Sequence, residues 1–370
     1  MLAGGGHAHL FVLEGLLRGR RPTGLDVTLV AQDRQHAYSG MVPGLIGGRY
    51  RVDELLLDLA ALARVANADF IEGTASAIEP ASRSLVLADG RRVPYDLLSI
   101  AVGSATAGAD LPGVRDHALP VKPIDRMLAI VPALEQALAG GGPGGPDVAV
   151  VGGGAGGVEL ALNLRARLRL LGRPDAAVSV VEESERILGD RSASCRRAAE
   201  AALAGARIGL VLGGGVAAVE RDRLLLRSGA TVPARFVVWA TGAVGAPLLA
   251  GSGLALDGRG FLRVDRTLRS VSHAEIFGAG DSVTPEHRPD LPKSGVYAVR
   301  QGPVLRDNLL AAAAGRRPRR RFRPPRRSLA LLNTGDDRAI LCYGDLTLTG
   351  RWAMALKDRI DRRFVERFRR

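Results

Sequence analysis

Residues 147–168 read DVAVVGGGAGGVELALNLRARL: an apolar run, then Gly152, Gly154 and Gly157, then a helical pattern. Glycines at this spacing allow a tight turn, close approach of backbone to a pyrophosphate, and close contact between helix and strand. The helix N-terminus then aims its free N–H groups at the phosphates. The next apolar run, AVSVVEE, ends at Glu182. A carboxylate there accepts the two ribose hydroxyls of NADH and repels the 2′-phosphate of NADPH. A lone glycine motif is a weak signal, but strand, turn, helix, strand and acid in this order make a specific one.

The start of the chain carries a looser copy. In GGGHAHL at 4–10, Gly4, Gly5 and Gly6 are in place, but His9 stands where the third glycine belongs. A side chain there pushes helix and strand apart without closing the phosphate path. Only residues 1–3 precede the turn, which leaves open whether the N-terminus is whole. The following run, DVTLVAQD, reaches Ala31 where an acid is normal, and Asp33 is the available substitute for gripping ribose. Far downstream, residues 258–283 end in Gly278, Gly280 and Asp281, a carboxylate at the mouth of a further glycine turn.

Holding these residues requires an α/β chain with two Rossmann-like dinucleotide-binding domains, the first interrupted by the second. The pattern divides the chain into a first domain in two parts (1–112 and 256–315), a second domain (113–255), and a small C-terminal strand-and-helix region (328–370). ADGRRV at 88–93 signals a hairpin, and AGGGPGGP at 139–146 punctuates the approach to the second glycine turn. RRPRRRFRPPRR at 316–327 reads as an extended, solvated connector. SLALLNTG and RAILCYGDLTL read as two strands, and RWAMALKDRIDRRFVERFRR as a closing helix.

Two glycine turns with a late Gly-Asp pair resemble the FAD-dependent pyridine nucleotide-disulfide oxidoreductase superfamily, a group including type II NADH dehydrogenases and ferredoxin reductases. Within it the chain is most similar to the flavoprotein found in front of selenide, water dikinase in bacterial fusion proteins. GGGHAH, YSGMVPGLIGGRY, VKPIDR, GGGAGGVELAL, VWATGA, GAGDSV, PKSGVYAVRQGPVLRDNL and LKDRIDRRF carry the resemblance through almost the whole chain. It implies that the first turn binds FAD and the second NADH. It also implies that Asp281 hydrogen-bonds the ribitol chain and that Gly103 lets backbone pass close to the flavin. Ala75 offers backbone bonds to adenine, and Gly242 lies beside cofactor in the turn after VVWAT. His7 and His9 either donate to the pyrophosphate or pack without touching a ligand.

FAD beside NADH implies hydride transfer to flavin and onward delivery of electrons to an acceptor. Disulfide reductases carry Cys-x4-Cys just after the first helix, whereas HAYSGMVPGLIGG has no cysteine there. That excludes disulfide reduction through protein thiols, and the absence of paired cysteines also disfavours sulfide:quinone oxidation. A quinone is the expected acceptor, as in type II NADH dehydrogenases. The alternative is a non-catalytic or partner-reducing module of selenium metabolism. Glu159 matches the glutamate those dehydrogenases hold near the nicotinamide. Lys293 is expected to face the flavin as a fixed cation that stabilises its anionic reduced form. The Ala-Gln-x-Ala-x-Gln run of those enzymes is broken, because GVYAVRQ puts Val296 and Arg300 at the glutamine positions and keeps Gln301 one step on.

Net charge is +13 and hydrophobic residues are 46% of the chain. No apolar run approaches the roughly 18–20 residues of a membrane span, and no signal segment is seen. These features predict a cytoplasmic protein, either free or peripheral on the inner face of the membrane. In the closing helix, Trp352, Leu356, Ile360, Phe364 and Phe368 form one stripe flanked by arginines. Such a helix suits an anionic membrane interface or packing on the first domain. No nucleic-acid recognition fold accompanies the charge, no metal cluster is expected, and a homodimer is left open. Cys195 and Cys342 match no metal or disulfide spacing and read as small buried hydrophobes.

Overall fold

In the computed structural model, residues 1–139 and 147–369 are described. All of the expected 139–146 punctuation except Ala139 thus lies outside the described residues. The first part of the chain lays down β1 (Leu2–Ala3), β2 (Thr28–Ala31), β3 (Asp69–Glu72) and β4 (Leu98–Ile100). The middle contributes β5 (Ala118–Pro120), β6 (Val148–Val151), β7 (Val178–Val181), β8 (Ile208–Val211) and β9 (Phe236–Trp239), and β10 (Ile276–Gly278) follows. Two five-stranded parallel sheets result, ordered β10-β4-β1-β2-β3 and β5-β9-β6-β7-β8.

The two sheets repeat one plan. In each, the central strand, β1 or β6, leads through a glycine turn into a helix, α1 (His7–Gly15) or α2 (Ala155–Leu170). In each, a three-stranded antiparallel meander is inserted before the strand that pairs with the centre. The hairpin expected at 88–93 is the last turn of the first meander, with Gly90 at φ 87°. Each sheet takes one edge strand from a distant stretch of chain: β5 is laid down well before β6, and β10 only after the whole second sheet is complete. Where the chain crosses between units, Ala105–Thr106 pairs antiparallel with Ala243–Val244. Strands with both faces covered need continuous apolar runs, and β6 and β9 are buried at every residue.

Next come α3 (Ala193–Gly205) on the second sheet, α4 (Gly295–Ala313) on the first, and α5 (Arg351–Phe368) at the end. Helices α1 and α4 press together where Gly302 meets the Phe11 ring, a place with no room for a Cβ. The C-terminal region holds three strands, not the two expected: β11 (Ala330–Asn333), β12 (Ala339–Tyr343) and β13 (Leu346–Gly350). RAILCYGDLTL reads as one apolar run, but Gly344 adopts φ 60° and folds it into a hairpin. The 316–327 connector is extended, yet it is pinned rather than free, since Phe322 is buried and its N–H donates to the Arg266 carbonyl.

The reading of the cysteines as separate small hydrophobes is also corrected. Cys195 on α3 and Cys342 on β12 are both buried and form a disulfide, closing a sequence separation of 147. Spacing along the chain carries no information about a pair that tertiary packing brings together. Among the described residues, no helix is long and apolar enough to cross a membrane.

Candidate active site: a glycine-turn cavity and a second glycine turn

The first glycine turn closes directly on its neighbours. The Gly4 N–H donates to Val30 at 2.7 Å and the Gly6 N–H to Ala101 at 3.0 Å. Gly4 adopts φ 95°, and a Cβ on Gly4 or Gly6 would strike the Ala101 carbonyl. The backbone itself is therefore the wall of the cavity that opens here. Gly4, Gly5, Gly6, His7, Asp33, Ala75, Gly103, Gly280 and Asp281 all line that cavity, joining segments spread over the whole first unit.

His9 does not line it, and the expectation of a histidine pair at the phosphates divides in two. The His9 ring spans Gly4 O at 2.6 Å and Ser99 Oγ at 2.8 Å, tying the turn to β4 from behind. Burial drives its pKa down to about 4, so the ring is neutral. The second turn shows what the third glycine ordinarily does: a Cβ on Gly157 would overlap the Gly152 carbonyl. In the first turn a side chain takes that position and bonds the equivalent carbonyl. His7, by contrast, faces the cavity and leaves Nε2 buried with no hydrogen-bond partner among the described residues. Burial, then His36, lowers its pKa to about 3.

The cation of the cavity is not the expected one. Lys293 is absent from the lining; its ammonium sits 3.9 Å over the Phe261 ring and donates to the Val283 carbonyl and to Thr284 Oγ1. Lys122 takes the place at the wall, donating to Asp281 at 2.6 Å and Ser104 at 2.8 Å. VKPIDR marked this stretch without assigning its lysine a role. His36 and Asp125 join it in the lining, and nothing local in the sequence signals either. Asp33 keeps its place, its carboxyl pushed up by burial and by Asp125 and Glu72.

Gln301 is spent elsewhere too. Its Oε1 accepts from the Gly280 N–H at 2.6 Å, so it holds the Gly-Asp turn from below and is a positioning residue there. Glu159 lies on α2 with its side chain 12% exposed, where its Oε1 accepts from the Asn333 N–H at 2.9 Å and lies 3.9 Å from Lys357 Nζ. Burial raises the proton affinity of Glu159, outweighing Lys357 and the Asn333 N–H. Lys357 continues the chain of contacts to Asp361 at 2.8 Å and to the Gly40 carbonyl at 2.7 Å, and Tyr38 donates to Asp361 at 3.1 Å. Asn333, Lys357 and Asp361 come from the C-terminal region, which held no candidate site residue.

In the second turn, Gly152 adopts φ 117° and would clash with the Ala240 carbonyl if it carried a Cβ. Gly154 is the N-cap of α2 and is open to solvent space. Glu182 folds over the turn, its carboxylate accepting from Gly153 N–H at 2.6 Å and Ser184 N–H at 2.8 Å. Gly242, in the loop after β9, accepts from the Ala107 N–H and leaves open space at its Cα.

Two parallel sheets, each ending in a glycine turn, with a Gly-Asp turn closing the cavity of the first, define a two-dinucleotide oxidoreductase fold. Residues 1–302 match the pyridine nucleotide-disulphide oxidoreductase family, and the chain belongs to it. A NADH dehydrogenase-like protein of Mycobacterium tuberculosis is 32% identical over 245 residues, 62% of this chain. The match spans 61% of that relative's length, less than two thirds. A demethylphylloquinone reductase of Synechocystis is 26% identical over 94% of this chain and 87% of its own. In architecture the chain is similar to the sulfide:quinone oxidoreductase of Aquifex aeolicus, at TM-score 0.81 and 21% identity, covering all of this chain and 90% of that one. FAD and a pyridine nucleotide are the cofactors of this family and of this protein. The residues fit the flavin nucleotide: backbone cradle, unpartnered His7 Nε2, and the Asp281 carboxylate share one cavity.

Asp281→Ala should weaken FAD retention by roughly 1.5–3 kcal/mol, the worth of a charge-assisted hydrogen bond, read from flavin released on dilution. Lys122→Met should also loosen FAD, because it leaves Asp281 without its cation. Burial lowers the Lys293 pKa to about 8, against 10.5 when exposed. The unfolded chain then holds more protons between those values, so stability contributed by this group rises as pH climbs through that window. Denaturant unfolding of Lys293→Met should lack that rise.

Proposed function

We propose that the protein is an NADH:quinone oxidoreductase, taking electrons from NADH through FAD to a quinone. The carrying observation is the cavity wall: it holds the Lys122–Asp281 pair and no cysteine. The one disulfide joins α3 to β12 and does not line the cavity, so no thiol relay is available for a sulfur substrate. The names of the Mycobacterium and Synechocystis relatives, a NADH dehydrogenase-like protein and a quinone reductase, support the same reading.

FAD supplies the two-electron chemistry between nicotinamide and acceptor. The chain's own residues position and balance it. Glu182 takes the ribose hydroxyls of NADH and disfavours a 2′-phosphate. Lys122 offsets negative charge developing in the cavity. A quinone gaining two electrons also takes up two protons, drawn in the end from solvent, and Glu159, its proton affinity raised by burial and its Oε1 held by Asn333, is the group we assign to relaying one of them. Lys357, Asp361 and Tyr38 connect that carboxyl to the loop at 38–40, next to cavity-lining Ser39.

We assign the last helix both of the roles that its stripe suggested. Phe364 stacks on Tyr38 at 4.5 Å and Phe368 meets Phe11 at 5.1 Å, whereas Trp352 and Ile360 stay 51% and 44% exposed beside Arg359 and Arg363. Tyr343, Leu346 and Leu348 on the neighbouring hairpin are exposed as well. This face suits peripheral contact with an anionic membrane.

Under anaerobic conditions NADH should bleach the flavin faster than NADPH, and a short-chain quinone should then restore its colour faster than selenite or polysulfide. Reoxidation by selenite alone, or by none of the three, would overturn the quinone reading in favour of a selenium-pathway or partner-reducing module. Trp352→Ser with Ile360→Ser should lower binding to anionic vesicles by about ten-fold or more, since each buried side chain is worth roughly 1.5–3 kcal/mol. Unchanged vesicle binding would remove the membrane from the account.

A further inference from the structure

Several arginines on this surface have an acid beside them, as in Arg91–Asp89, Arg227–Glu183, Arg263–Glu286 and Arg367–Glu14. One cleft gathers four that do not. It is lined by Asp265, Arg266 and Thr267 on one side and by Arg317, Pro318, Arg319 and Arg321 on the other. Among the described residues, none of its four guanidiniums has a carboxylate partner. The one acid, Asp265, directs Oδ1 to the N–H groups of Thr267 and Arg269 and to the Thr267 hydroxyl. Counting it, the cleft still carries four positive charges against one negative.

The arrangement is built rather than incidental. Asn308 on α4 accepts from the backbone N–H groups of both Arg319 and Arg320 and donates to the carbonyls of Arg320 and Thr267. Phe322 anchors the end of the segment, and its N–H bonds the Arg266 carbonyl. The segment therefore alternates. Arg320 turns to Asp307 and Phe322 into the core, while Arg317, Arg319 and Arg321 turn to the cleft with Arg266. Holding four like charges together against a single carboxylate is unfavourable unless an anion joins them.

We propose that this cleft is a binding site for a multiply phosphorylated ligand. A single phosphate group carries about −1.5 to −2 at neutral pH and would leave the cleft positive. Two or more linked phosphates balance it, and guanidinium forks match phosphate oxygens two at a time. A soluble phosphate chain and a multiply phosphorylated lipid head group present the same chemistry.

The test uses the full FAD-loaded chain and titrates it calorimetrically with tripolyphosphate, then with orthophosphate. Tripolyphosphate should bind about ten-fold or more tighter than orthophosphate. Arg317→Ser, Arg319→Ser and Arg321→Ser together should weaken it about ten-fold or more, whereas Arg323→Ser, Arg326→Ser and Arg327→Ser, an equal loss of charge outside the cleft, should change it less than about two-fold. Arg266→Ser alone, on the opposite wall, should give a smaller loss of the same kind and carries the test if the triple variant does not fold. Vesicles bearing a bisphosphorylated inositol lipid are compared with phosphatidylserine vesicles of equal charge. A preference for the former that the cleft variant abolishes assigns a lipid source, and its absence alongside tripolyphosphate binding assigns a soluble one. No binding of either probe, equal losses in both triple variants, or tighter capture of single-stranded RNA with no dependence on the cleft would overturn the proposal.

Discussion

Lys357 is a buried ammonium on which three distant parts of the chain converge. Its Nζ donates to Gly40 O beside the cavity and to Asp361 on its own helix, and lies 3.9 Å from Glu159 on the second unit's first helix. An ion out of water costs several kcal/mol, recovered only while its partners stay in place. Burial alone would lower the Lys357 pKa, but Glu159 and Asp361 outweigh it and the net direction is up. Each partner therefore depends on the others. Removing the lysine would strand two carboxylates and loosen the nucleotide unit, the cavity loop and the last helix together. The C-terminal region is on this ground tied both to the second unit and to the loop beside the cavity.

The repeated plan of the two sheets shows how one constraint can be met in two ways. Both units must bring a helix N-terminus and a central strand close enough for backbone to meet backbone at the glycine turn. The second unit does so by omitting a side chain at Gly157. The first does so with His9, whose ring occupies the gap and bonds both Gly4 and Ser99. A neutral imidazole suits this place, since each ring nitrogen finds one partner and no charge is buried.

Much of the site was legible in the sequence, and the reason is local. A glycine turn demands particular residue types at particular positions because φ above zero and backbone contact both exclude Cβ. Gly4, Gly103, Gly152 and Gly280 all adopt positive φ; Asp281 adjoins the last of these, while Asp33 follows β2 and Ala75 opens the first meander. The parallel sheets were legible for a related reason, because strands covered on both faces need unbroken apolar runs.

Tertiary structure alone decided which side chains meet. Lys122 and Asp281 are 159 residues apart, and Asn333 and Glu159 174. The sequence placed a cation at the cavity but chose Lys293, and placed Gln301 at the acceptor, where packing turns it under Gly280. It separated two cysteines that the fold joins. Backbone geometry selects residue types over a few positions, so it leaves a local pattern. A side-chain pair depends only on where two surfaces come to rest, and that is settled by burial over the whole molecule.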